Sequence, residues 1–148
     1  MVNILERQRR NGATDHQKFT PETATLTLPL VRRIVDDMRR LNLSIESLRT
    51  QLQGVDGIDE TNARPEFLDE LNDIRGSLAA DEMQLQACLR ELAVIGVQPH
   101  PSLCGDVDFP ATVNDKSVCL CWNPADDRVA HWHEPGQSPR NRQPINRI

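Results

Sequence analysis

The spacing of apolar residues changes once along this chain, and that change limits the folds open to it. From Ile34, the residues Met38, Leu41, Ile45, Leu48, Leu52 and Val55 recur at alternating steps of four and three. Such steps hold apolar side chains on one stripe of a helix, the seam of a coiled-coil-like pair. A second run, Leu71, Ile74, Leu78, Leu85, Cys88, Leu92 and Ile95, follows the same scheme, with Asp81 at the seam position between Leu78 and Leu85. After about residue 106 the repeat shortens to two, the period of a strand. Two helices followed by short strands predict an α+β protein: a long antiparallel helical hairpin capped by a small three-stranded antiparallel meander.

Punctuation sets the boundaries. In "FTPETATLTLPLV" Thr20 is a natural N-cap, Pro21 suits the first helical position and Glu22 favours the positive helix end. Pro29 predicts a kink or restart two turns later. "GVDGIDETNARP" ends the first helix, Pro65 opens the second, and Gly96 is placed to stop it. The hairpin is therefore expected over residues 20–96, and pairing it about its loop puts Asp81 near Met38 and Arg39 or Arg40, as an ion pair at a wet point of the seam. Cys88 reads as a small core residue. Residues 1–18 are polar and unpatterned and read as a flexible arm, with residues 19–148 as one domain.

Beyond "GVQPHPSLCGD", the segments "VDFPATV", "SVCLCW" and "RVAHWHE" have the alternation of strands over residues 106–134, with turns at "ND" and "NPADD". Pro110 suits an edge strand, which leaves "SVCLCW" in the middle. Alternation then decides which side chains share a face. Val118, Leu120 and Trp122 point one way with Ala130 and Trp132, and a register that joins these apolar residues also sets Cys119 and Cys121 beside His131 and His133. Thiolate and imidazole ligands suggest a transition metal, Zn²⁺ first and Fe²⁺ or Cu⁺ behind it. His100 and Cys104 in the preceding loop are candidate extra ligands, and Asp106, Asp108 and Glu134 candidate hydrogen-bonding supports. Two other readings stay open. Cys-x-Cys and His-x-His are not the tight Cys-x₂-Cys spacing of a zinc knuckle, so the four residues also fit an ordinary strand surface. Haem takes thiolate and imidazole ligands as well.

Composition narrows the rest. The chain is 38% hydrophobic and only 3% aromatic, which suits narrow helical seams. A two-helix hairpin buries only part of its stripe, so a homodimer through the helices, completing a four-helix bundle, is expected. A net charge of -5 makes nucleic acid and anionic membrane unexpected partners. The carboxy-terminal segment 135–148 is the exception, with Arg140, Arg142 and Arg147 and no acid; it reads as a solvated basic tail. No apolar run approaches the roughly 20 residues of a membrane span, and the amino terminus lacks a secretory pattern, so a reducing cytoplasmic setting with free thiols is expected. No Walker A, G-x-G-x-x-G, Glu-x-x-His or oxyanion-hole pattern occurs, so an enzymatic role has no signature beyond a geometrically feasible Cys121–His133 pair.

Six stretches in order, "FTPETATLTLPLVRRIV", "LRELAVIGVQ", "GDVDFPA", "LCW", "WHE" and "RQPI", resemble the bacterial DUF2203 family. The resemblance spans about Phe19 to Ile145 and implies the same architecture without an assigned activity. Its "LCW…WHE" pattern maps onto Leu120, Cys121, Trp122, Trp132, His133 and Glu134. Positions 119 and 131 are commonly aromatic or aliphatic in that pattern, so the resemblance implies a core of Cys121 and His133, joined by Asp108 and Glu134. It equally allows Trp122 and Trp132 to be a cross-strand pair clamping the sheet to the helices. The expectation is thus a small metal-binding protein, with a metal-free helical scaffold or protein-interaction module as the alternative.

Overall fold

The structure, a computed structural model, describes residues 18–55 and 57–147. Most of the expected amino-terminal arm lies outside those residues. Helix α1 spans Pro21–Gln53, and α2 spans Pro65–Ile95. Five short strands follow: β1 (Gln98–Pro99), β2 (Val107–Val113), β3 (Lys116–Trp122), β4 (His131–His133) and β5 (Gln143–Pro144). They form one antiparallel sheet in the order β1-β2-β3-β4-β5.

Thr20 caps α1 as its sequence suggests. Its hydroxyl accepts the Thr23 N–H at 3.1 Å, while the Thr23 hydroxyl accepts the Thr20 N–H at 2.8 Å, so two orphan donors are satisfied reciprocally. The restart expected at Pro29 does not occur, and α1 runs through it for 33 residues. Leu28 and Val31 beside it are both buried, and their packing carries the helix across the lost hydrogen bond. Gly96 ends α2 in the left-handed conformation (φ 94°), and the N–H groups of Gly96 and Val97 both reach the Leu92 carbonyl.

The hairpin is offset from a symmetric pairing. Asp81 does not meet Met38, Arg39 or Arg40; it accepts a hydrogen bond from Ser44 at 2.6 Å, and Glu82 pairs with Arg49. The connection explains the shift. A short 3-10 turn at Glu60–Asn62 packs back along α2 through a Glu60–Arg75 ion pair, so the first turns of α2 run beyond the end of α1. Along α1, Met38, Leu41 and Ile45 are already buried inside the single chain. Further along the same seam Leu48, Leu52 and Val55 are half-buried.

The sheet lays one face on the helices. Phe109, Val118, Leu120 and Trp122 join Leu28, Val31, Val35 and Met38 of α1 and Leu92 of α2 in one core. Phe19 closes it edge-on against Phe109, with ring centroids 5.1 Å apart. The β2–β3 turn is Asn114–Asp115 as expected, both at positive φ, the backbone of a tight hairpin. Strand β3 is central, also as expected. The meander, however, has five strands rather than three. The two extra strands are both Gln-Pro pairs, too short to leave an alternation, and proline is tolerated on such edges. Strand β2 is accordingly not the sheet edge as a whole, but β1 pairs only with Val107 and Asp108. At Pro110 the outer side is open, and its carbonyl there accepts the Phe19 N–H at 2.8 Å. The absent N–H of Pro110 points the same way and costs no ladder bond.

Residues 135–146, though mostly exposed, are tied to the sheet and do not run free of it as the expected solvated tail would. The segment returns to the sheet as β5, and Arg142 holds Asp126 through contacts of 2.5 and 3.1 Å. The basic residue has an acidic partner within the fold, which composition alone could not reveal.

Candidate metal centre

The core selects the register, and the register assembles the opposite face. Leu120 pairs with Trp132, so Cys119 stands opposite His133 and Cys121 opposite His131. On the other side of β3, Cys121 pairs with Asp108 of β2. Trp132 thus faces Leu120 rather than Trp122. Trp122 instead lies under the Arg32 guanidinium at 4.9 Å and donates to the Asp126 carbonyl.

Three of these side chains converge. One ligand atom each from Asp108, Cys121 and His133 lies within 4.8 Å of the other two. His133 reaches diagonally past Cys121, a reach that cross-strand neighbours two positions apart allow. Its Nε2 sits 2.8 Å from Asp108 Oδ1 and its Nδ1 2.8 Å from the Glu134 backbone carbonyl. A carbonyl only accepts, so Nδ1 carries a proton, and Nε2 is the nitrogen turned to the carboxylate. His133 is 2% exposed and Cys121 fully buried, whereas Asp108 keeps partial access to solvent.

The thiol's surroundings decide what it can do unaided. Burial, reinforced by the Asp108 carboxylate and only partly offset by Arg142, pushes Cys121 up to about 12. Cys119 is raised for the same two reasons, burial and then Asp108. A neutral thiol is a poor nucleophile, so a Cys121–His133 nucleophilic pair gains no support. A cation placed among the three groups changes that balance, because a coordinated thiol ionises.

The other candidate residues lie near this convergence without joining it. Cys119 and His131 share the face. The His131 Nδ1 atom is buried and has no hydrogen-bond partner among the described residues. Glu134 turns away to Lys116 at 2.6 Å. His100 and Cys104 sit in the β1–β2 loop, in a chain of contacts from His100 Nδ1 through the Ser102 hydroxyl and the Cys104 sulfur to Asp106. That loop packs closely against the β3–β4 loop and α1. A side chain at Gly105 (φ 115°) would stand 2.8 Å from Pro124 and 3.2 Å from Arg39. Sequence reasoning placed Asp108 in a supporting role, and the structure puts it at the centre. It missed Arg142, which lies beside the Cys121 sulfur; the closing "RQPI" stretch was the only available signal.

The sequence model of the family described as "Uncharacterized conserved protein (DUF2203)" matches residues 17–145. The chain belongs to the DUF2203 family. No curated protein and no solved structure matches it. Every residue of the convergence, and Arg142 beside it, falls inside the DUF2203 match. Among the described residues, no helix is long and apolar enough to cross a membrane.

Proposed function

We propose that this DUF2203 protein binds a transition-metal ion, Zn²⁺ first, through Asp108, Cys121 and His133. The observation that carries this reading is the meeting of an oxygen, a sulfur and a nitrogen donor from three different strands within 4.8 Å. Ligand atoms around a tetrahedral zinc stand roughly 3.3–3.6 Å apart, so the three side chains need only small movements to close on an ion. Asp108 and a Cys121 thiolate would balance the charge of a divalent ion. The Glu134 carbonyl already orients the His133 ring so that Nε2 is the available nitrogen. Iron(II) and copper(I) remain candidates for the same donors. A porphyrin fits less well, because it must separate its two axial ligands, and here Cys121 and His133 converge on one point with Asp108. Three protein ligands leave a fourth position for water, or for Cys119 or His131 after a rotamer change.

Cobalt(II) substitution tests the reading and its ligands together. Reduced protein titrated with cobalt should develop a thiolate-to-cobalt charge-transfer band that saturates at one equivalent. Cys121→Ser should abolish that band. Asp108→Asn and His133→Ala should weaken cobalt binding about 10–100-fold or more, as loss of a ligand or its support does. Cys88→Ser, in the helix seam, should leave the titration unchanged. A band that survives Cys121→Ser would remove the proposed centre. The competing reading, a metal-free helical scaffold, draws on apolar side chains left in solvent, among them Met83 at 74% and Val94 at 87% exposure.

A further inference from the structure

The metal reading leaves one coordination position open, and a residue on the same sheet face has an unanswered nitrogen. His131 Nδ1 is buried and has no hydrogen-bond partner among the described residues. Such an atom is costly, because folding strips its water and returns nothing. Trp132 Nε1 is in the same condition but differs in kind. It belongs to the opposite face of β4, and an indole N–H only donates. An imidazole nitrogen can also ligate.

The register says where His131 belongs. Asp108, Cys121 and His131 form one row across β2, β3 and β4, with Asp108 opposite Cys121 and Cys121 opposite His131. Opposed residues hold their Cβ atoms roughly 4.5–5.5 Å apart. His131 and His133 are two positions apart on β4, so both rings rise from the face that carries Cys121. The acids around that face are already engaged. Asp108 is held by His133, Asp126 by Arg142 on both of its oxygens, and Asp106 by the Cys104 thiol. Cys119 is the rival for the fourth position, but it stands in the next row, opposite Pro110 and His133. Its thiolate would also bring a third negative ligand to a divalent ion, whereas a neutral imidazole leaves the charge balanced.

We propose that His131 Nδ1 is the fourth ligand, so that Asp108, Cys121, His131 and His133 enclose the ion and leave no position for water. This rests on the metal reading of the three-residue convergence. The His131 ring lies outside that convergence and reaches the ion by turning about its side-chain bonds. An enclosed tetrahedral zinc is of the structural kind, while a catalytic one keeps a position for water or substrate. The ion therefore braces β2, β3 and β4 together and carries out no reaction.

Azide, a small anion that enters an open coordination position, is the probe, used on the reduced full chain loaded with cobalt(II). The wild-type visible spectrum should not change with azide in large excess. His131→Ala should keep the thiolate charge-transfer band, because three ligands remain, but bind cobalt about 10–100-fold or more weakly. Its spectrum should then shift with azide. Cys119→Ser should behave as the wild type. Three outcomes would each overturn the proposal and leave the metal reading standing: a wild-type spectrum that shifts with azide, a His131→Ala protein that binds cobalt as tightly as the wild type, and an azide response that appears with Cys119→Ser instead. A wild type that develops no thiolate band at all would remove the metal reading and this proposal with it.

Discussion

The Asp126 carboxylate takes two contacts from Arg142 and the Asn123 backbone N–H, in a turn only partly open to solvent. Burial by itself would raise this carboxyl, but the guanidinium and the N–H outweigh it and hold Asp126 below the ordinary aspartate value. A carboxylate with a lowered folded value stabilises the protein fully above its unfolded value, near ~3.9. That stabilisation is lost as pH falls through the lower folded value. Arg142→Gln should therefore cost about 1–3 kcal/mol at neutral pH, by leaving a half-buried carboxylate short of its charged partner. The wild type and the variant should converge in stability as the solution is acidified through the carboxylate range, measured by denaturant unfolding across pH. A gap that persists unchanged into strong acid would place the effect outside this pair. Individual residues were legible where alternation or capping chemistry speaks for them, as at Thr20, Cys121 and His133. Arg142 was not: Pro135-Gly136 marks a turn, but nothing local says that the chain beyond it returns to the sheet and brings Arg142 to Asp126.

Elements are governed by length. Helices α1 and α2 repeat their seam over many turns, and β2 and β3 alternate over seven residues each, so all four could be read from the sequence. Strands β1 and β5, of two residues each, offer no period to read. The offset of the hairpin was hidden for a related reason: the three-four repeat defines a face but does not choose among registers that differ by whole turns. The register found joins Ser44 to Asp81 and Arg49 to Glu82, with the 3-10 turn at Glu60–Asn62 taking up the extra length. The junction from α2 to the sheet is the element boundary with the tightest requirement. At Gly96 the backbone is left-handed, and an added Cβ would lie 3.4 Å from the Phe19 ring. Gly96→Ala should lower stability by about 1–2 kcal/mol, the usual penalty for an L-residue in that conformation. A thermal or urea melt checks it, and an unchanged or raised midpoint would mean that the junction relaxes without strain.

At the scale of the whole molecule, the helices and the sheet divide the work. One sheet face is spent on the core, and closing that core dictates the register that gathers Asp108, Cys121 and His133 on the other. The convergence is then a consequence of packing at its back, and the carboxy-terminal segment, whose Arg142 lies beside the Cys121 sulfur, belongs to the same fold. Because an ion binds only the folded arrangement, metal should raise the stability of the entire domain rather than of the hairpin alone. The most direct measurement is elemental analysis of protein purified in reducing buffer without a polyhistidine tag, paired with melts in the presence and absence of chelator. The account predicts close to one equivalent of a transition metal per chain, zinc foremost, and a lower melting temperature once it is stripped. Protein that carries no metal, takes up none after reduction and melts identically with chelator would contradict it, and Asp108–His133 would then be a hydrogen-bonded pair beside an inert thiol.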